Sequence, residues 1–239
     1  MKTLRTLLIA GVTIISMSAT QAQTVDEIIG KHTDAIGGKD ILMKITSISL
    51  EGAASAMGND YPTKTTLVAG KGYKSVSSVN GTDIIQAYTD TSGWMLNPLT
   101  GQTDPIALPA EAVKAAKSSL DMELIMLNYK NKGYLASLAG REDYQGVSTY
   151  KIKLSKDGMD VTFFIDPASY YILKRDVKTT FEGKDVTATT SYTNYKKTDF
   201  GYVMAFTEGI NSMGYDVSLN YTKVEFNKDI DPAIFAMPK

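Results

Sequence analysis

The chain has 239 residues, of which 43% are hydrophobic and 21% charged, with no cysteine and one histidine. These proportions are typical of a folded globular protein and exclude disordered and collagen-like chains. The formal net charge of −1 offers no surplus of Lys and Arg for a nucleic-acid-binding surface. Without cysteine there is no disulfide, thiol catalysis or cysteine metal site, and one histidine excludes a two-histidine metal site. We therefore expect no metal, no cofactor and no nucleic-acid partner.

The first 22 residues have the pattern of a secretory signal peptide, with cleavage predicted after Ala22. Lys2 and Arg5 precede an apolar run from Leu7 to Ile15, which is shorter than the roughly 20 residues of a membrane-spanning helix. After removal of two basic residues from 25, residues 23–239 carry 23 basic and 26 acidic residues, a charge of −3. Since no cysteine is available for lipid attachment, we expect an exported protein that is soluble and not anchored.

A helix is predicted at the start of the remaining chain. Thr24 and Glu27 have the spacing of a capping box, and apolar residues follow at helical intervals. Gly37 and Gly38 end this helix. A second short helical piece is predicted from Asp40 to Lys44.

From Ser47 onward the pattern changes to alternation of apolar and polar residues, which is typical of β-strands. About ten or eleven strands are predicted, separated by turns that supply positive φ angles or a proline; these turns are Gly58-Asn59-Asp60, Asn80-Gly81, Asp157-Gly158, Asp166-Pro167 and Gly183-Lys184. Short strands at regular intervals predict an antiparallel sandwich, half-barrel or barrel. No linker interrupts them, so residues 23–239 are expected to form one domain.

One segment between the strands is rich in helix formers, from Pro109 to Lys117 and again from Leu120 to Tyr129. In the second piece, Leu120, Leu124 and Leu127 share one helical face, and Met122, Ile125 and Met126 make the other side apolar. Such a helix is buried on a wide front or covers an apolar groove. We expect it to act as a lid on the sheet.

Residues for catalysis are sparse. His32 lies on the inner face of the first predicted helix, where a hydrogen-bonded structural histidine is expected. Carboxylates such as Asp83, Asp143, Asp160 and Asp185 fall near strand ends and turns, where solvated turn residues are the simpler interpretation. No Gly-x-Ser-x-Gly nucleophile motif is present. We therefore expect that the protein is not an enzyme.

Apolar side chains at every second residue predict that one face of the sheet is hydrophobic. They belong to several strands: Leu67, Ile85, Trp94, Leu96, Phe163 and Ile165. This face either forms the core beneath the helices or lines a concave binding cavity. Together with Leu124 and Ile125 of the predicted lid, these residues are our candidates for a lipid-binding cavity.

Three stretches resemble the LolA-like carriers, the outer-membrane lipoprotein-sorting proteins of the bacterial periplasm, particularly the exported members from Bacteroidetes. The stretches are DEIIGKHTDAIGG at Asp26 to Gly38, QAYTDTSGWMLNP at Gln86 to Pro98, and IDPAIFAMP at Ile230 to Pro238. Their order and spacing, with the helical insertion between them, carry the resemblance.

The resemblance implies a mainly β fold with a few helices, namely an incomplete, half-open antiparallel β-barrel of about eleven strands closed on its concave side by helices. It implies a monomeric periplasmic carrier that binds the acyl chains of lipoproteins or other lipids and moves them toward the outer membrane, served by membrane-bound donor and acceptor proteins. Two features depart from the family: residues 23–140 contain no arginine to tie the lid, and Thr89-Asp90 stands where the family favours Asp-Gly.

Other interpretations of the sequence stay open. A domain of the same fold could sense lipids or envelope proteins without transporting them. An outer-membrane β-barrel would share the strand count, but it would need strands of about ten residues with aromatic girdles, and the helical insertion fits it poorly. An enzyme is the remaining alternative.

Overall fold

The computed structural model describes residues 23–116, 120, 125–181, 184–212 and 214–238. The predicted signal peptide lies outside them. Within these ranges the α-helices are α1 (Val25–Ala35), α2 (Lys39–Leu42) and α3 (Ala110–Ala116). The predicted capping box is confirmed, since the Glu27 amide donates to Thr24 Oγ1 at 3.2 Å and the Thr24 amide to Glu27 Oε2 at 2.8 Å. These bonds satisfy two amides at the start of α1 that have no partner inside the helix.

The described residues form thirteen strands, where about eleven were expected. They are β1 (Ser47–Ala56), β2 (Asn59–Val68), β3 (Gly72–Val79), β4 (Thr82–Tyr88), β5 (Gly93–Leu96), β6 (Ile106–Ala107), β7 (Leu135–Tyr144), β8 (Val147–Lys156), β9 (Met159–Ile165), β10 (Ile172–Phe181), β11 (Lys184–Lys197), β12 (Val203–Ser212) and β13 (Tyr215–Phe226). Short 3₁₀ helices span Pro98–Thr100 and Pro232–Phe235.

All thirteen strands belong to one antiparallel sheet that is not closed into a barrel. Its order is β6-β5-β4-β3-β2-β1-β13-β12-β11-β10-β9-β8-β7. Strands β1 to β6 form one meander and β7 to β13 another, and the two join where β1 pairs with β13. The expected mainly β, half-open fold with few helices is therefore confirmed.

Several of the predicted turns connect neighbouring strands of these meanders. Asn80 and Gly81 have φ angles of 52° and 80°, and Asp157 and Gly158 have 49° and 80°. Both pairs therefore supply the two positive φ angles that a tight hairpin requires, which explains why Asn-Gly and Asp-Gly were informative. Gly183 lies outside the described residues.

The connection from β6 to β7 must cross the sheet, because these strands lie at its two opposite edges. We call residues 108–134 the crossover segment. Its helix α3 confirms the first predicted helical piece. The second piece is predicted as a helix from Leu120 to Tyr129. Leu120 has 3₁₀ conformation, residues 125–129 form consecutive turns, and Leu124 lies outside the described residues.

Helix α1 and part of the crossover segment pack on one face of the sheet, which we call the helix-bearing face. Ile28 and Ile29 of α1 and Met126 and Tyr129 of the crossover segment form a buried cluster with side chains of β8 and β9, namely Ile152, Leu154, Val161, Phe163 and Ile165. Burial of this apolar surface holds α1 against the sheet.

The opposite face of the same strands carries charges. Lys153 contacts Asp160 at 2.7 Å and Lys174 contacts Asp176 at 3.1 Å. The Lys174 ammonium also lies 3.8 Å from the ring centroid of Phe164, which is buried beneath it. The alternation predicted from sequence therefore separates a buried face from a charged one in this half of the sheet.

Candidate functional site

A cavity of about 900 Å³ lies between the helix-bearing face of β8 to β12, the end of α1 and the crossover segment. This volume falls within the usual range for small-molecule sites. Its lining is mainly apolar and aromatic: Ile36, Ile125, Met126, Tyr134, Met159, Val161, Phe163, Ile172, Val177, Tyr192, Tyr195, Tyr202, Val203, Met204 and Ala205. The wall suits a flexible apolar ligand better than a polar one.

The cavity borders the buried cluster and does not replace it. Phe163 and Val161 belong to both, whereas Ile152 and Leu154 are completely buried in the cluster next to α1. Ile172 and Val177 line the cavity and are only partly buried. The same sheet face therefore changes from packed core to cavity wall along β8 to β10.

A polar site interrupts the apolar wall at its sheet side. Arg175 of β10 and Glu208 of β12 both line the cavity, and Tyr192 of the intervening strand β11 lies between them. Tyr192 pairs directly with Glu208, and Thr190, two residues away on β11, pairs with Arg175. Arg175 Nη2 donates to Thr190 Oγ1 at 3.4 Å. Its Nε is buried and finds no hydrogen-bond acceptor in the described part of the chain.

Burial controls the protonation of this site. It raises the pKa of Glu208, and the positive charge of Arg175 offsets part of that rise. Burial also raises the pKa of Tyr192 to about 12 and raises the pKa of both Tyr195 and Tyr202. The phenols therefore stay protonated and can donate hydrogen bonds; Tyr195 donates to the carbonyl oxygen of Ile172 at 2.6 Å.

His32 also lines the cavity and is 3% exposed. Its Nδ1 lies 2.7 Å from the carbonyl oxygen of Tyr170, so in the neutral ring this nitrogen carries the proton and donates it to the carbonyl. Burial lowers the pKa of His32 despite that hydrogen bond. His32 thus has the buried, hydrogen-bonded surroundings expected of a structural histidine.

The crossover segment is tied to α1 beside the cavity. Asp26 accepts a hydrogen bond from the Tyr129 hydroxyl at 2.7 Å and contacts the Lys130 ammonium at 2.7 Å. These partners lower the pKa of Asp26. Because the Asp26 and Lys130 side chains are 60% and 66% exposed, their ion pair contributes little stability. Packing of Met126 and Tyr129 in the buried cluster contributes more to holding this segment against α1.

Over the described ranges, no three His, Asp or Glu side chains are grouped as metal ligands would be. Likewise, none of the helices described is long and apolar enough to cross a membrane.

Comparisons with known proteins address the fold. No family model matches the chain, and no curated protein matches it either. Among solved structures, a LolA superfamily protein from Nitrosomonas europaea superposes with a TM-score of 0.56 at 14% identity, covering 90% of this chain and 98% of that one. The chain has a LolA-like fold.

Two further solved structures are similar to this chain in fold. A DUF1329 family protein from Desulfovibrio piger has a TM-score of 0.57 at 14% identity, with 90% of this chain and 98% of that chain covered. A putative outer membrane lipoprotein-sorting protein domain from Vibrio parahaemolyticus has a TM-score of 0.49 at 17% identity, with 79% and 88% covered. At these identities the likeness concerns the fold alone.

The predicted site residues of the LolA-like chain fall in different places. Ile125 and Phe163 line the cavity. Ile165 is completely buried in the adjacent cluster. Leu67 lies on β2, on the same face of the sheet as Phe163 of β9. The register of the directly paired residues shows this when it is followed across the strands between them, β1, β13, β12, β11 and β10. Leu124 lies outside the described residues.

The strand register corrects the expectation that all the sheet candidates share one face. Directly paired residues of antiparallel strands project to the same side. Leu67 pairs with Tyr73, which pairs with Tyr88, which pairs with Gly93. Trp94, one residue further along, therefore projects to the opposite face. Its partner Ala87 is on that face too, as are Ile85 and its partner Leu96.

On the opposite face Trp94 packs near the end of the chain. It is 3% exposed, and its Nε1 donates a hydrogen bond to the carbonyl oxygen of Phe235 at 2.9 Å. The Phe235 ring occupies the space above Gly72, where an added Cβ would come within 2.5 Å of the ring. Two of the stretches that carry the family resemblance therefore meet here and hold each other in place.

Sequence reasoning missed the polar site. Arg175 stands between Lys174 and Asp176, which form an ion pair on the outer face. It lies two residues before the apolar Val177, so both side chains project to the cavity side of the strand. A charge at an inward position of an alternating strand was the available signal. Glu208 gave no comparable one, because residues 203–212 alternate only weakly.

Proposed function

We propose that this protein is an exported carrier that binds acyl chains of lipoproteins or other lipids in the cavity and moves them through the periplasm toward the outer membrane. The observation that carries the proposal is the cavity of about 900 Å³ with its mainly apolar and aromatic wall. We infer a binding role without chemistry, in which membrane-bound proteins supply and receive the lipid.

Energetics support an acyl chain as the ligand. Each CH₂ group transferred from water to an apolar site contributes about 0.8 kcal/mol. A long chain therefore supplies on the order of 10 kcal/mol before the costs of association, with no polar anchor required. Methionines in the wall, such as Met126, Met159 and Met204, adapt easily to chains of different shape.

The LolA-like fold supports the proposal together with the place of the crossover segment. Ile125 and Met126 of that segment line the cavity, and Tyr129 and Lys130 contact Asp26 of α1. Met126 and Tyr129 also belong to the buried cluster, so a movement of this cover that admits a ligand would separate them from α1.

The test blocks the cavity. Val177→Trp places an indole where the cavity now is, whereas Lys178→Trp places the same group on the outer face of the same strand, where the lysine is 56% exposed. Mass spectrometry should find acyl lipid in extracts of the wild type and of Lys178→Trp. Lipid content, and affinity for the neutral apolar fluorophore N-phenylnaphthylamine, should fall at least tenfold in Val177→Trp.

Circular dichroism must show that both variants fold. Equal lipid content in the two variants, or no lipid and no fluorophore binding in the wild type, would contradict the proposal. A second measurement separates carriage from sensing: transfer of a fluorescent lipid between donor and acceptor vesicles should accelerate with the wild type and not with Val177→Trp. Binding without transfer would instead favour a sensor of the same fold.

A further inference from the structure

Arg175 is the cation at the sheet side of the cavity. Its strand neighbours are Phe163 of β9 and Thr190 of β11, so it lies within the sheet and away from the edges. Lys132 and Lys156 also line the cavity, but Lys132 belongs to the crossover segment and not to the sheet, and Lys156 is exposed at the end of β8. Arg175 is therefore the basic group that a ligand would meet after entering the apolar space.

Few of the hydrogen-bond donors of Arg175 are used. A guanidinium has five N–H donors and keeps its charge at any physiological pH. Over the described residues, its hydrogen bonding amounts to the 3.4 Å contact with Thr190 Oγ1, and the buried Nε is unpaired. The Tyr192 ring lies 5.9 Å from the guanidinium carbon. A partly buried cation with a buried, unpaired N–H is costly unless an anion compensates it.

Glu208 does not remove this need. It lines the same cavity, and no salt bridge or hydrogen bond joins it to Arg175 within the described residues. Burial favours the neutral form of its carboxyl group. A ligand anion beside Arg175 would favour that neutral form further. The negative charge that compensates the Arg175 guanidinium would then come from the ligand and not from Glu208. Tyr192 and Tyr202 add protonated hydroxyl groups to the same wall.

We propose that Arg175 anchors the anionic end group of a single-chain lipid, a carboxylate or a phosphate, that enters the cavity with this group first. This inference rests on the proposed function and narrows its cargo. The acyl chain would lie along Phe163, Ile172, Val177 and Met204. Esterified chains of a lipoprotein have no anion at the buried end, so a free anionic lipid fits Arg175 better.

The test compares ligands of equal chain length. Palmitate, hexadecyl phosphate and hexadecanol displace N-phenylnaphthylamine from the full chain at pH 7.5. The wild type should bind palmitate or hexadecyl phosphate at least tenfold more tightly than hexadecanol, the gain expected of charge-assisted hydrogen bonds. The tighter of the two anions identifies the end group. Equal binding of all three ligands would overturn the proposal.

Two arginines follow the predicted cleavage site, and they provide a matched pair of variants. Arg175→Met keeps an apolar stem and removes the charge; it should lose at least tenfold in affinity for the preferred anion and less than twofold for hexadecanol. Arg141→Met, on the exposed edge strand β7, should change neither. Equal losses for the anion and the alcohol in Arg175→Met would overturn the role of the charge.

Glu208→Gln keeps the proposal testable if Arg175→Met does not fold. Since it replaces a carboxyl group that must stay neutral beside a bound anion with a group that is always neutral, affinity for the preferred anion should rise by at least threefold while hexadecanol binding stays constant. A weaker anion affinity would contradict the proposal. If neither the fluorophore nor hexadecanol binds any folded variant, the proposed function itself fails. If both bind and charge has no effect, only the assignment of Arg175 fails.

Discussion

The two meanders of the sheet share the period-two alternation but differ in where their apolar side chains project. In β7 to β13 the apolar side chains project to the helix-bearing face, where they form the buried cluster and the cavity. In β1 to β6 that face carries Leu67 and the stacked rings of Tyr73 and Tyr88 at one end of the strands. Further along it carries small hydroxyl pairs, with Thr63 and Ser77 3.0 Å apart and Thr65 and Ser75 3.4 Å apart. Trp94 packs on the other face.

The difference shows that alternation determines the spacing of apolar side chains along a strand but not the face of the sheet to which they project. In the first meander the face with Trp94 is covered by the C-terminal 3₁₀ helix, whose Phe235 is 1% exposed. In the second meander the cover is α1 with the crossover segment. Which face is buried therefore depends on which distant segment covers it.

The largest expected effect separates packed core from cavity wall inside the second meander. Ile152→Ala should lower the free energy of unfolding by about 2–5 kcal/mol, because it opens a void in a completely buried cluster. Ile172→Ala is the matched control; it should cost less than about 2 kcal/mol, because its side chain already borders the cavity. Urea unfolding measures both, and equal losses would contradict a cavity beside Ile172.

A smaller effect tests the opposite face of the first meander. Trp94→Phe removes the donor to the Phe235 carbonyl and leaves a buried acceptor unpaired, at a cost of about 1–3 kcal/mol. Affinity for N-phenylnaphthylamine should stay within twofold of the wild type.

The chain has a single tryptophan, which gives an independent check on this placement. Its fluorescence maximum should not move when palmitate or hexadecanol fills the cavity. A clear shift of the fluorescence maximum on lipid binding, with weaker lipid binding by Trp94→Phe, would show that Trp94 lies at the lipid site. It would contradict the placement of Trp94 on the face opposite the cavity.

The smallest effect is a pH dependence from Glu208. Its ordinary pKa is 4.5 and burial raises it in the folded protein. Between these two values the folded protein holds a proton that the unfolded chain has released, so the free energy of unfolding falls as pH rises through the window. Below pH 4 the group is mainly neutral in both states and contributes no difference.

Glu208→Gln removes this dependence. The variant should therefore unfold at a higher temperature than the wild type at pH 8, and the gap should close at pH 4. Differential scanning calorimetry across this range measures the gap. A gap that stays constant with pH, or opens toward acid, would show that Glu208 is not a buried carboxyl at the cavity wall.

The sequence by itself determined the local structure of this protein. Thr24 and Glu27 set the start of α1, Asn80-Gly81 and Asp157-Gly158 set hairpins, and alternation from Ser47 onward set the strands. These features depend on neighbours a few residues apart, so they can be read without the fold. The overall β class followed from the same patterns, whereas the LolA-like fold was implied by the resemblance of three stretches of sequence.

Only the tertiary structure decided which side chains meet. Trp94 and Phe163 both belong to strands with apolar residues at period two, yet the register of the intervening strands places them on opposite faces of the sheet. Arg175, Tyr192 and Glu208 come together because β10, β11 and β12 are neighbours in that register. A cavity is formed by segments far apart in the chain, and periodicity in one segment carries no information about what covers it.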